Sequence, residues 1–170
     1  MRSWPPGFPN NSPRLSPLNP SAKTLPTHAE RRSLPYTPEQ MFDLVAGVER
    51  YPEFLPWCIA SRITAREGDI FYADLVIGYK MVREHFSSRV TCIRPNELRV
   101  EYMKGPMRHL NNIWRFERNP DGSCTIDFFV DFEFKNPLLQ RLITAFFHEA
   151  VKRMVGAFEE RASALYGKNP

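Results

Sequence analysis

The stretch Ile126-Asp127-Phe128-Phe129-Val130-Asp131-Phe132-Glu133-Phe134-Lys135-Asn136-Pro137-Leu138-Leu139 decides the fold, because the apolar period changes within it. Up to Phe134 the period is two. Ile126, Phe128, Val130, Phe132 and Phe134 share one face, and Asp127, Asp131 and Glu133 share the other, the pattern of an antiparallel strand with one dry and one wet side. Asn136 can then cap and Pro137 can open a helix. Leu139, Leu142, Ile143, Phe146, Phe147, Ala150, Val151, Met154, Phe158, Ala162 and Leu165 follow at three- and four-residue spacings until Gly167. Such a helix of roughly 30 residues spans about 45 Å.

Upstream, period-two segments run from Ile59, broken at Gly68-Asp69, around Gly78, and at Pro95-Asn96, Gly105-Pro106 and Asn119-Pro120-Asp121-Gly122. About six antiparallel strands fit between Ile59 and Phe134. Before them, His28 to Leu34 reads as a first strand, and Thr37-Pro38-Glu39-Gln40 caps a short helix carrying Met41, Phe42, Leu44, Val45 and Val48. Strand, helix, meander and long terminal helix in that order predict an α+β domain, a curved antiparallel sheet with its helices on one face.

The 170 residues carry a formal charge of +4 and 13% aromatic side chains. The charge is unevenly placed. Arg2, Arg14 and Lys23 precede the first acid, Glu30, and seven prolines lie in residues 1–26. Residues 1–26 are therefore expected to form a disordered basic tail, with a domain over 27–167. No apolar run approaches the ~18 residues of a membrane span. Cys58, Cys92 and Cys124 suit a reducing compartment. Because the folded part is nearly neutral, no DNA partner is expected.

Catalytic carriers are hard to find. His28, His85, His109 and His148 lack metal-ligand spacing, and there is neither a phosphate-binding glycine loop nor a nucleophile-elbow serine. Asp127 and Asp131 read as solvated strand residues, and Glu84 and His85 as neighbours pointing to opposite faces. His148 reads as a hydrogen-bonded helix residue, with a cavity-lining proton shuttle as the sharper alternative. Neither a catalytic residue nor a metal is expected.

Four stretches, Leu34-Pro35-Tyr36-Thr37-Pro38-Glu39-Gln40-Met41-Phe42, Tyr51-Pro52-Glu53-Phe54-Leu55-Pro56-Trp57, Leu110-Asn111-Asn112-Ile113-Trp114-Arg115-Phe116 and Val130-Asp131-Phe132-Glu133-Phe134-Lys135, together resemble the coenzyme Q-binding START-domain family. Bacterial members of that family are also labelled ribosome association toxins. The resemblance covers nearly all of residues 27–167. It implies the helix-grip fold of the polyketide cyclase superfamily, with an apolar tunnel between the sheet and the long C-terminal helix. It also implies a non-catalytic protein that binds ubiquinone or a related polyprenyl lipid for respiration.

On that resemblance Phe54, Leu55 and Trp57 line or gate the tunnel mouth, while Trp114, Phe116, Phe146, Val151, Met154 and Phe158 form its walls. Each also reads as an ordinary core side chain, the helix residues above all, whereas a rigid aromatic loop from Phe54 to Trp57 is more than packing requires. Met107 is a second lid candidate beside the Gly105-Pro106 turn. Residues 80–118 hold Lys80, Arg83, Arg89, Arg94, Arg99, Lys104, Arg108, Arg115 and Arg118, of which Lys104 and Arg108 are candidates for anionic headgroups. Ribosomal RNA phosphates are the alternative partner for the same cations, and Arg89, Arg99 and Arg115 read as a solvated strand row. The expected setting is a bacterial cytoplasm, peripheral at the inner membrane, or the matrix side of a mitochondrial inner membrane. An enzyme of the polyketide cyclase type ranks last.

Overall fold

A computed structural model describes residues 26–79 and 81–167. Of the segments singled out in the sequence, the tail up to residue 25 and Lys80 lie outside the described residues.

Seven strands form one antiparallel sheet: β1 (Thr27–Leu34), β2 (Cys58–Glu67), β3 (Ile70–Tyr79), β4 (Val82–Ile93), β5 (Glu97–Lys104), β6 (Met107–Arg118) and β7 (Cys124–Phe134). Their order is β1-β7-β6-β5-β4-β3-β2, so a meander of six strands is completed by β1 along the free edge of β7. Register shifts within the β2–β3, β4–β5 and β6–β7 pairs mark bulges, which bend strands and tighten their twist. The alternation expected of β7 is present, with Ile126, Phe128 and Phe132 buried and Val130 and Phe134 packed against the same core.

The helices close the inner face. In α1 (Pro38–Ala46) the Thr37 hydroxyl accepts from the Gln40 amide at 3.2 Å, and the Gln40 carboxamide accepts from the Thr37 amide at 2.9 Å. Two orphan amides are thereby satisfied. A 3-10 helix (Val48–Glu53) continues toward β2. In α2 (Pro137–Tyr166), Asn136 Oδ1 accepts from Leu138 at 2.9 Å and Leu139 at 3.4 Å. The buried stripe Leu139, Phe147, Val151, Phe158 and Ala162 turns inward.

An antiparallel meander alternates its turns between two ends, and this places every functional candidate. The β3–β4, β5–β6 and β7–α2 turns share one end, together with the segment entering β2. The β2–β3, β4–β5 and β6–β7 turns share the other, where the C-terminus of α2 meets α1 through Tyr166, whose hydroxyl donates to the Gln40 carbonyl at 3.0 Å.

Candidate functional site

The nine apolar residues singled out in the sequence fall into two groups. Phe54, Trp114 and Phe158 belong to one continuous aromatic stack. Tyr51 meets Phe158 at 5.6 Å, Phe54 meets Phe158 at 5.3 Å, Phe158 meets Trp114 at 5.3 Å, and Trp114 meets Phe128 at 4.4 Å between ring centroids. Edge-on and tilted geometries of this kind are favoured by the ring quadrupoles. Trp114 Nε1 donates to Asn112 Oδ1 at 3.0 Å, and Asn112 donates in turn to the Phe129 carbonyl at 2.9 Å. Leu55 and Met154 pack on the same core, Val151 is buried within it, and Phe116 turns to Phe42 of α1 at 5.8 Å.

The proline-stiffened segment is tied to α2 as well as stacked on it. The Arg161 guanidinium lies 5.4 Å above the Phe54 ring and donates to Glu53 at 2.6 Å. Hydrogen bonds from Arg50 and Arg161 hold the Glu53 carboxyl below its ordinary range. The Tyr51 hydroxyl donates to the Val45 carbonyl, and burial pushes its pKa up.

Between β1 and α2 there remains a cavity of about 30 Å³, lined by Leu34, Met41, Trp114, Ile126, Phe128, Val155 and Phe158. That is close to the room one water needs, against the several hundred Å³ of a typical ligand pocket. Its polar side is an ionic latch. Arg32 bridges Glu30 on its own strand and Glu159 on α2, and His28 Nε2 lies 3.0 Å from Glu30.

The second group sits at the end shared by the β3–β4, β5–β6 and β7–α2 turns, the open end of the grip in that its large apolar side chains are exposed. Trp57 meets Tyr79 edge-on at 6.2 Å, and Tyr79 meets Phe146 at 6.0 Å. Among the described residues eight large apolar side chains are exposed, and six of them, Ile59, Ile77, Met81, Met103, Leu138 and Phe146, belong to this end; Met81 is 98% and Leu138 75% exposed. Arg83, Lys104, Arg108, Lys135 and Arg141 belong to the same end, as do the acids Glu84 and Glu133. Arg108 has only a 4.0 Å approach to Glu133, and Lys135 Nζ donates to the Gly105 carbonyl at 3.1 Å.

By contrast Arg89, Arg99 and Arg115 lie across the outer sheet face in pairs with Glu101 and Glu97 at 2.6 to 3.0 Å. An open depression of about 390 Å³ on that face is bordered by Arg31 and Asp127, themselves paired at 2.9 Å.

Three expectations need correction. Met107 is 5% exposed and opens β6 opposite Phe134, so strand alternation turns it into the core and it is no lid; the exposed methionine beside that turn is Met103. His148 is exposed on α2, its ring 6.2 Å from His28, and is not part of the lining of the cavity between β1 and α2. Asp131 has a partner that the sequence did not suggest, His109 at 3.0 Å on the neighbouring strand. Only the β6–β7 register, which sets Asn111 against Asp131, brings that pair together. Among the described residues no group of three or more His, Cys, Asp or Glu is arranged to hold a metal.

The model of the family "polyketide cyclase / dehydrase and lipid transport" matches residues 34–159. The coenzyme Q-binding protein COQ10 homolog B, mitochondrial, of Xenopus laevis is 37% identical over 145 residues, covering 83% of this chain and 59% of that protein. The chain thus spans less than two thirds of that relative's length. The ribosome association toxin RatA of Pseudomonas aeruginosa is 33% identical over 142 residues, 83% of this chain and 99% of that protein. The solution structure of the 18 kDa protein CC1736 from Caulobacter crescentus superposes with a TM-score of 0.69 at 33% identity, covering 85% of this chain and all of that one. The chain belongs to the polyketide cyclase / dehydrase and lipid transport family, among its coenzyme Q-binding and ribosome association relatives.

Proposed function

We propose that this protein is a non-catalytic carrier that binds ubiquinone, or a related polyprenyl lipid, and presents it at a respiratory membrane. The observation that carries the proposal is the open end of the grip, which exposed Met81, Met103, Leu138 and Phe146 share with Arg83, Lys104, Arg108, Lys135 and Arg141. Apolar side chains enter the headgroup boundary, and each cation near an anionic surface adds about 1 kcal/mol. A polyprenyl lipid resists leaving the bilayer by about 0.8 kcal/mol per methylene, so its carrier has to dock where the lipid is. The relative named as a coenzyme Q-binding protein supports ubiquinone as the cargo. Among the described residues no helix is long and apolar enough to cross a membrane, so contact is peripheral on this proposal.

The test is extraction of lipid from protein purified out of native membranes, with mass spectrometry for quinone. It is paired with flotation on vesicles containing cardiolipin. Co-purified quinone, and vesicle binding that is lost in Lys104→Glu/Arg108→Glu, are expected. Protein that is empty and takes up no added quinone overturns the proposal.

The second function is ribosome association, favoured because the chain spans 99% of the relative named for it. The same cations would then meet phosphates, with binding that falls steeply with salt. Sedimentation with ribosomal subunits at two salt concentrations separates the two: a carrier stays in the supernatant at both.

A further inference from the structure

Among the described residues, the Tyr102 hydroxyl is buried without a hydrogen-bond partner. Tyr102 lies on β5 directly opposite Ser88 of β4, and Ser88 is itself buried at 1% exposure between Phe86 and Val90. Antiparallel partners project to the same side, so the two hydroxyl-bearing side chains share the inner face with Phe86, Val90, Leu98 and Val100. A buried hydroxyl without a partner forfeits the hydrogen bonds it makes in water. Phenylalanine fills the same space without that cost.

Position adds to this. Tyr102 stands two residues before Lys104, so along the strand it is about 7 Å inside the cationic, apolar end. Beyond it Trp114 stacks on Phe128 at 4.4 Å and on Phe158 at 5.3 Å, beside a cavity of about 30 Å³. Of the two parts of a quinone lipid, only the ring carries oxygens that can accept from a donor at this depth. Apolar walls with one or two convergent polar groups are the usual make-up of a small-molecule site. A benzoquinone ring presents carbonyl oxygens that accept a hydrogen bond and have no proton to give, which is what a lone phenol donor matches.

Resting on the carrier function proposed above, we infer that Tyr102 holds the head group of the bound quinone, its phenol donating to a carbonyl oxygen, with the head group innermost and the isoprenoid tail directed back to the membrane end. The Ser88 hydroxyl borders the same place.

The experiment compares wild type with Tyr102→Phe, using ubiquinone with two isoprene units and, as a lipid without carbonyls, squalene. Tyr102→Phe is expected to bind the quinone about three- to ten-fold more weakly, the usual worth of one hydrogen bond. Squalene affinity stays as in wild type, and the empty variant melts at the same temperature or higher. The infrared carbonyl band of bound quinone, lowered by the phenol in wild type, returns toward its frequency in hydrocarbon. Equal quinone affinity with an unmoved band overturns the assignment, as does parallel loss of quinone and squalene. A wild type that binds squalene but no quinone overturns the carrier function itself, a different failure from a Tyr102→Phe that binds quinone normally.

Discussion

Phe158 of α2 meets Trp114 of β6 edge to face, with ring centroids 5.3 Å apart, and this contact joins the long helix to the sheet. The Phe158 ring also meets Phe54 at 5.3 Å, so one helix residue ties the proline-stiffened segment to β6. Trp114 and Phe158 are 7% and 5% exposed. Truncating either to alanine is expected to cost about 3–5 kcal/mol, the range for a large aromatic in a packed core. Urea unfolding measures it, and a loss under 1 kcal/mol contradicts the packing. Lipid loss in these two variants consequently reports unfolding rather than ligand contact.

Trp57 is the residue to change instead. It is only partly buried, and its aromatic contact is with Tyr79 at the open end, outside the central stack. Trp57→Ala is expected to cost about 1–2 kcal/mol, within the ordinary range for single substitutions. Its co-purified quinone should fall while the melting transition stays cooperative. Unchanged occupancy in Trp57→Ala would remove the open end from the lipid's path.

The fold was legible because its signals are local. The period change after Phe134, the Thr37 and Asn136 caps and the turn residues each act within a few positions, and each recurs in the structure. The site was less legible. Phe54 and Trp57 are three residues apart and read alike in sequence, yet one stacks in the core and the other at the rim, because the chain turns between Leu55 and Cys58, whose amide donates to the Leu55 carbonyl at 3.3 Å. His109 with Asp131 depends on strand register. An inward tyrosine in a strand is ordinary in sequence, and the missing partner of the buried Tyr102 hydroxyl shows only in three dimensions.

Gly105 sets how closely the β5–β6 turn lies on β4. Its φ is +140°, and a Cβ there would stand 2.7 Å from both the His85 carbonyl oxygen and the Phe86 Cβ. Since backbone and a side-chain root are obstructed, relief requires strands to move. Gly105→Ala should destabilise by about 2–3 kcal/mol, combining a disfavoured φ with overpacking. Gly68→Ala, at φ +59° with nothing within 4 Å, is the comparison and should lose only about 1 kcal/mol. Equal losses in the two variants would mean that the close approach to β4 carries no cost.

The Arg32 latch makes a prediction with a defined sign in pH. Burial alone would raise the pKa of Glu30, but hydrogen bonds from His28 and Arg32 outweigh it and hold the carboxyl below its ordinary 4.5. Glu159 faces the same guanidinium from α2, and its bond adds to that of Glu30 in raising Arg32. A carboxyl depressed in the folded state binds fewer protons than in the unfolded chain between the two pKa values. Its stabilisation is therefore complete above pH 4.5 and disappears as pH falls through the folded value. The groups are partly solvated, so Glu30→Gln should cost no more than about 1 kcal/mol at pH 7. The variant should also show a shallower fall of melting temperature below pH 4.5 than wild type. Melting curves from pH 7 to pH 3 decide it, and parallel curves for the two proteins would show that the latch does not contribute to acid stability.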